Sequence, residues 1–272
     1  MVPAHGIGTP SGSATHLERV RRTELELVAE WLEPGKHVLE LGAGSGYQAS
    51  LLAARGCNVT ALDLPDRTRY ARTYYPVQDY DGCTIPLPDE SVAVVFSSHV
   101  LEHVDPLAPL LAETLRVMKP TGVAVHIVPS ATWRIWTSLA HYPFVLKTLL
   151  FGRAADSLVN VASTQDAIDR HGVLRAIYKT AVHPLAPHGS NSNAVVEVRA
   201  FSKARWMTVF ASNGFAVVSV VPSKLFYTGY GVLSGASLGQ RRRLSGLLGS
   251  ASRAFVLRKA SGEQTHSDTG RA

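Results

Sequence analysis

The segment Val38-Leu39-Glu40-Leu41-Gly42-Ala43-Gly44-Ser45-Gly46 restricts the fold of this chain more than any other stretch. Val38 to Leu41 has the branched, apolar character of a buried parallel strand. Glycine then recurs at alternate positions, which lets the backbone turn sharply and approach a ligand without intervening Cβ atoms. Tyr47 to Arg55 (YQASLLAAR) has helical character. The loop is therefore expected to join the carboxyl end of a strand to a helix N-terminus, the place where open α/β sheets bind ligands.

The rest of the chain extends this unit. Leu17 to Leu32 carries apolar residues at helical spacing and is stopped by Pro34-Gly35, directly before a strand from Lys36 to Leu41. Asn58 to Leu62 forms a second short strand closed by Asp63, a third falls near Tyr75 to Gln78, and a fourth spans Val92 to Ser97 after the turn residues Pro86 to Ser91. Asp105-Pro106 reads as a helix start, with Asp105 as cap, and the helix is stopped by Lys119-Pro120-Thr121-Gly122 before a strand from Val123 to Val128. Residues 131 to about 181 read as mainly helical, and Val195 to Val198 as strand-like. A helix from Lys203 to Asn213, a strand from Phe215 to Val221 and a last strand from Arg253 to Lys259 follow. Strands alternating with helices predict a parallel sheet covered on both faces.

The expected organisation is a disordered N-terminus (1–14), a ligand-binding half (15–130), a mainly helical insert or cap (131–200), the remainder of the same α/β unit (201–260) and a disordered tail (261–272). A hydrophobic share of 46% and a charged share of 18% fit a globular protein. The cysteines are Cys57 and Cys83, there is no basic-then-apolar leader, and no run of about 18 apolar residues is free of charge or proline. A cytoplasmic, reduced protein is the expectation. The net charge of +6 is mostly dispersed, with one compact cluster at Arg241-Arg242-Arg243. A solvated basic face is expected from that distribution, with no nucleic-acid partner and with peripheral contact to anionic lipid as an option.

Four separated motifs resemble those of the class I S-adenosylmethionine-dependent methyltransferases, in particular the large bacterial group that includes ubiquinone/menaquinone-biosynthesis-like enzymes. They are Glu40 to Gly46; Asp63 at the end of Val59-Thr60-Ala61-Leu62; Asp81 to Ser91 with Ile85-Pro86-Leu87-Pro88-Asp89; and His99-Val100-Leu101-Glu102-His103-Val104, followed by Leu115 to Gly122. Glycines at 42, 44 and 46 also depart from the G-x-G-x-x-G spacing of nicotinamide-binding loops. One departure from the family pattern is Val92-Ala93, where an aspartate is usual. It keeps a methyltransferase-like binding or scaffold protein without turnover as an alternative; a nicotinamide-dependent oxidoreductase is a further alternative that the glycine spacing disfavours.

The resemblance implies a Rossmann-like three-layer α/β sandwich with a mostly parallel seven-stranded sheet, an antiparallel last strand and a helical insert after the fifth. It implies S-adenosyl-L-methionine as cofactor; the leading expectation is a small-molecule or lipid-linked acceptor methylated at oxygen, with carbon or nitrogen as the lesser alternatives. The backbone of Gly42, Gly44 and Gly46 would pass under the amino-acid part of the cofactor, and Glu40 would help hold its ammonium. Asp63 would take both ribose hydroxyls, since a carboxylate can accept two hydrogen bonds from a vicinal diol. Asp81 would meet the adenine amine, with Asp79 as the alternative register. Ser98 and His99 would lie beside the reactive sulfonium.

For an acceptor that carries a proton, a base is needed, and imidazole titrates near neutral pH. His188, in the turn-rich segment His183 to Asn193, is the leading candidate for that base, together with His99. Asn191, Asn193 and Glu197 are weaker candidates. His103 is expected to orient a loop, His126 to be a core histidine within its strand, and no metal site is expected. The aromatic and apolar run Trp133 to Phe151 predicts either an interfacial element or lid over an apolar acceptor, or a helical cap packed on its own sheet.

Overall fold

A computed structural model of the chain describes residues 16–65, 72–151, 194–229, 233 and 235–260. In chain order these form α1 (His16–Leu27), β1 (His37–Leu41), α2 (Tyr47–Ala54), β2 (Asn58–Asp63), β3 (Gln78–Asp79), β4 (Val92–Ser98) and α3 (Ala108–Val117). There follow β5 (Met118–Pro129), α4 (Ala131–Phe151), α5 (Ala194–Ala200), α6 (Lys203–Ser212), β6 (Phe215–Pro222), α7 (Leu238–Leu248) and β7 (Ser252–Lys259). The expected disordered ends, and His188 with its neighbours from His183 to Asn193, lie outside the described residues.

The strands make one seven-stranded sheet in the order β3-β2-β1-β4-β5-β7-β6. The first five pair in parallel, and β7 is antiparallel to both β5 and β6. The period of two along each strand divides the core. Leu39, Leu41 and Val95 pack with Leu110 and Leu111 of α3 and Trp206 and Phe210 of α6. Val38, Val94, Phe96, Val125 and Val256 pack on the other side with Leu25 of α1 and Ala49 and Leu52 of α2. Near-continuous apolar strands are what a sheet covered on both faces requires. The chain order reverses at β1, whose neighbours are β2 and β4, so the carboxyl ends of β1 and β4 border the crevice where such sheets bind ligands.

Several local expectations are corrected. Asp105 does not cap α3: the helix begins at Ala108, Leu107 occupies the cap position without a side-chain bond, and Pro109 rather than Pro106 takes the first turn. Met118 to Gly122 belongs to the β5 strand, not to a loop. Val195 to Val198 is helical within α5, not strand-like. The reason is tertiary: Glu197 is buried in a 2.6 Å ion pair with Arg134 of α4, which overrides the β-preference of three valines. α7 carries a capping box between Ser237 and Gln240 that the S-x-x-Q spacing makes legible in the sequence. Its Arg241 is buried and donates to the Phe226 and Ala236 carbonyls, so the arginine triplet is not a uniform solvated face.

Candidate cofactor and acceptor site

The loop after β1 is built from positive-φ glycines, at +68° for Gly42, +58° for Gly44 and +74° for Gly46. A Cβ on Gly42 would stand 2.3 Å from Val100 Cγ2, and one on Gly46 would stand 2.8 Å from the Tyr75 carbonyl oxygen. Both glycines are thus demanded by close approach as well as by backbone conformation. The loop is tied down on each side: Ala43 N–H donates to the Leu62 carbonyl at 3.0 Å, and Tyr74 N–H to the Ser45 carbonyl at 2.8 Å.

Asp63, the last residue of β2, accepts from Gly44 N–H through Oδ2 at 2.6 Å and from Leu64 N–H through Oδ1 at 2.7 Å. Each carboxylate oxygen has two acceptor sites, so one remains on each oxygen after these bonds. Glu40 lies within β1 nearby and is buried. Its Oε2 has no hydrogen-bond partner. Burial, followed by the negative charge of Asp63, pushes its carboxyl up to about 8, against one opposing hydrogen bond from the Ala49 backbone. A buried carboxyl in that condition favours an arriving cation, which would restore its ionised form.

Asp79 closes β3 in register with Asp63. Asp81 lies two residues beyond the end of β3. It is exposed, and its Oδ1 accepts from Cys83 N–H at 2.8 Å and Thr84 N–H at 2.7 Å. Those two bonds, that from Thr84 first, hold its carboxyl below the usual range. One oxygen of Asp81 is thus engaged in its own turn, and the strand register brings Asp79 to the level of Asp63.

Ser98 ends β4 and its Oγ lies 3.4 Å from Arg21 Nη1. His99 follows with a φ of +57°, a sparsely populated conformation for a side chain with a Cβ. Its Nε2 is 3.3 Å from Glu24 Oε1. No motif in the sequence marks Glu24, which is buried on α1 and gathers donors from four places. Tyr227 Oη donates at 2.8 Å, Ser252 Oγ donates to the same oxygen, and Arg21 Nη1 reaches the other at 2.9 Å. Burial alone would raise the Glu24 carboxyl, yet the His99 and Arg21 charges and these hydrogen bonds bring it well below the usual range. Burial and then Arg21 lower the His99 imidazole, although Glu24 opposes them. Glu102, in the 3-10 turn Leu101–His103, is buried 3.7 Å from His99 Nδ1, and burial pushes its carboxyl up to about 8.

His126 is the core histidine expected: it is fully buried, its Nδ1 lies 2.8 Å from Ser97 Oγ, and burial lowers it to about 3. His103 is half exposed in the turn beside Glu102. A candidate that the sequence ranked low, Glu197, is committed to Arg134.

Residues 39–126 match the family described as "Methyltransferase domain". Over 96 residues, 33% of this chain and 37% of the relative, the sequence is 38% identical to a malonyl-[acyl-carrier protein] O-methyltransferase of Serratia marcescens. It is also 38% identical over 100 residues to a "Probable S-adenosylmethionine-dependent methyltransferase" of Mycolicibacterium smegmatis, covering 35% of this chain and 39% of that one. The chain thus spans less than two fifths of the length of these curated relatives. The fold is similar to that of a SAM dependent methyltransferase from Archaeoglobus fulgidus, with a TM-score of 0.51 at 17% identity, covering 89% of this chain and 94% of that one. An S-adenosylmethionine dependent methyltransferase from Mesorhizobium loti gives 0.50 at 18% identity, covering 86% and 96%. The glycine loop, the acid closing β2, the seven-stranded sheet and these likenesses converge: residues 39–126 form the core of a class I S-adenosylmethionine-dependent methyltransferase domain, whose cofactor is S-adenosylmethionine.

Proposed function

We propose that the protein transfers a methyl group from S-adenosylmethionine to oxygen on a small-molecule or lipid-linked acceptor. The observation that carries this reading is the pairing of Glu40 and Asp63 at the glycine loop. Glu40 is a buried carboxyl with an unpartnered oxygen, suited to an ammonium group. Asp63 keeps one acceptor site on each oxygen, which is the number a vicinal diol needs. The chain's own residues therefore fit the two polar ends of the cofactor, and Asp81, with Asp79 as the alternative register, is the candidate acid for its base.

When bound, the cofactor supplies an electrophilic methyl group on a sulfonium. The protein's task is then to align the acceptor, exclude water and accept a proton where the acceptor carries one. Ser98 and His99, at the end of β4, stand on the acceptor side of the loop in this reading, and His188 remains a candidate contact. Oxygen as the methylated atom is supported by the similarity to a malonyl-[acyl-carrier protein] O-methyltransferase. An apolar or carrier-linked acceptor is supported by α4, which leaves Ile135, Leu139 and Tyr142 exposed directly after β5. Among the described residues no helix is long and apolar enough to cross a membrane. Contact of α4 with a membrane surface would be peripheral.

Calorimetric titration with S-adenosylmethionine and S-adenosylhomocysteine tests the cofactor half. Binding by the wild type that Asp63→Ala abolishes is expected; absence of heat in the wild type overturns it. Incubation with methyl-labelled cofactor and a cell extract, followed by partition between water and organic solvent, tests the acceptor half. Label extracted as a base-labile ester or a stable ether supports oxygen, whereas label on nitrogen or carbon, or no transfer at all, overturns it.

A further inference from the structure

We infer that Glu24, on the N-terminal helix α1, is a positioning residue for methyl transfer: together with Tyr227 it fixes the His99 imidazole so that Nδ1 can take the proton of an acceptor hydroxyl. The inference rests on the functional reading above and deepens it, because it assigns the acceptor a removable proton.

The geometry begins with Glu24 itself. It is one of the most deeply buried charged residues of the chain, and carboxylates are rarely buried without a compensating network. Its Oε1 receives Tyr227 Oη, Ser252 Oγ and the His99 ring, and its Oε2 receives Arg21. An ionised carboxylate only accepts hydrogen bonds. The His99 nitrogen that faces it, Nε2 at 3.3 Å, must therefore carry the ring proton when the imidazole is neutral. The lone pair is left on Nδ1, which meets Glu102 Oε1 at 3.7 Å, beyond hydrogen-bond distance. His99 is also held at its backbone, where its N–H donates to the Ile127 carbonyl at 2.8 Å in the left-handed conformation. A non-glycine residue kept in that conformation by its surroundings is a common feature of working sites.

Placement points to the reaction. His99 follows Ser98 at the carboxyl end of β4, and the next residue, Val100, is the side chain that packs against Gly42 of the cofactor loop. The His99 side chain is 14% exposed, whereas that of Glu24 is 0% exposed, so the imidazole is reachable and the carboxylate is not. The groups facing the ring are Arg21 and Glu24 from α1, Glu102 and His103 from the turn after β4, and Tyr227 from the segment before α7. In the transfer, an acceptor oxygen lone pair forms the new C–O bond as the S–CH3 bond breaks and leaves its electron pair on sulfur. The O–H electron pair stays on the acceptor oxygen and the proton passes to His99 Nδ1. The imidazolium so formed is balanced by Glu24 across the ring.

Imidazole 15N resonances of the full-length protein test this without a known acceptor. They are recorded as a function of pH for the free protein and for its complexes with S-adenosylmethionine and S-adenosylhomocysteine. His99 is expected as the Nε2–H tautomer, and to titrate at lower pH with the cationic sulfonium bound than with the neutral thioether. Glu24→Gln should shift the His99 titration downward in every state while leaving S-adenosylhomocysteine affinity within about threefold, a difference below 1 kcal/mol. Tyr227→Phe, which takes one donor away from Glu24 and leaves more of its charge for the ring, should shift the titration upward. Opposite shifts in these two variants distinguish electrostatic positioning from a general loosening of α1, which would move both alike. A His99 titration that is the same with sulfonium and thioether, or an Nδ1–H tautomer in the wild type, overturns the inference while leaving cofactor binding intact. Failure of the wild type to bind either cofactor overturns instead the functional reading on which it stands.

Discussion

Gly44 and Asp63 are joined by a 2.6 Å hydrogen bond from the backbone N–H of one to the carboxylate of the other. The bond ties the glycine loop after β1 to the last residue of β2, so one side chain both shapes the loop and keeps an acceptor site on each of its oxygens. Asp63→Ala is expected to lower cofactor affinity by about 10- to 100-fold, the equivalent of one or two charge-assisted hydrogen bonds. Asp63→Asn, which keeps one acceptor oxygen, should fall between. Isothermal titration with S-adenosylhomocysteine reads both, and equal affinity in all three proteins would contradict the assignment.

Glu40 imposes a pH dependence of definite sign. Its carboxyl is raised from 4.5 to about 8 by burial and by Asp63. Across that window the folded cofactor-free protein holds a proton that the unfolded chain releases, so this residue's contribution to stability falls as the pH rises. Glu40→Gln should flatten that slope, improve stability at pH 8 relative to pH 5 by a few kcal/mol, and weaken cofactor binding. Denaturant titrations at the two pH values give the first result. Calorimetry in buffers of different ionisation enthalpy should detect proton release when the wild type binds cofactor near pH 7.

His126 acts in the acid range. Burial lowers it from 6.5 to about 3, so below about 6.5 the unfolded chain takes up a proton that the folded protein refuses. Stability should decline as the pH falls through this range, by about 2 kcal/mol between neutrality and pH 5 from this residue. His126→Gln, which retains a partner for Ser97 Oγ, should lower stability at pH 7 and reduce the loss on going to pH 5, as measured by urea midpoints.

Arg116 couples two of the sequence motifs. It donates to the Ile85 and Leu87 carbonyls at 2.8 and 2.9 Å and pairs with Asp89 and Glu113. The side chain is 31% exposed, so the ion pairs are screened and the carbonyl bonds to the backbone dominate. Arg116→Ala should cost about 1–2 kcal/mol, and Arg116→Lys should recover part of it, because an ammonium cannot reach so many acceptors in one plane. Thermal melting at moderate salt measures the difference.

Gly46→Ala should damage the loop from within. The new Cβ would require the +74° backbone to hold an alanine and would meet Tyr75 backbone atoms at 2.8–2.9 Å. A loss of at least about 1–3 kcal/mol is expected, accompanied by weaker cofactor binding. An alanine variant with wild-type stability and affinity would show that the loop is not so constrained.

Much of the fold is written locally. Strand β1 with its glycines, the acid closing β2 and the core face of each strand follow from a period of two and from residues within a few positions of one another. His126 could be placed in the core because it sits inside such a strand. Local pattern fails where a distant partner decides: Val195 to Val198 is helical beside Arg134, and Arg241 is interior because three backbone carbonyls of an irregular segment need its donors.

The site divides along the same line. Glu40, Gly42, Gly44, Gly46 and Asp63 are contained in one β-α-β unit, and their spacing alone brings them to one end of the sheet. Asp81 and Asp79 differ by two residues, and only the pairing of β2 with β3 shows which of them stands opposite Asp63 in the sheet. Glu24 lies 75 residues from His99, 203 from Tyr227 and 228 from Ser252. The sequence by itself determined the sheet's core and the glycine loop, because periodicity and backbone sterics are short-range. Only the tertiary structure decided the carboxylate–imidazole cluster, because its attraction depends on burial and on groups that become neighbours when α1 packs beside the carboxyl end of β4 and the start of β7.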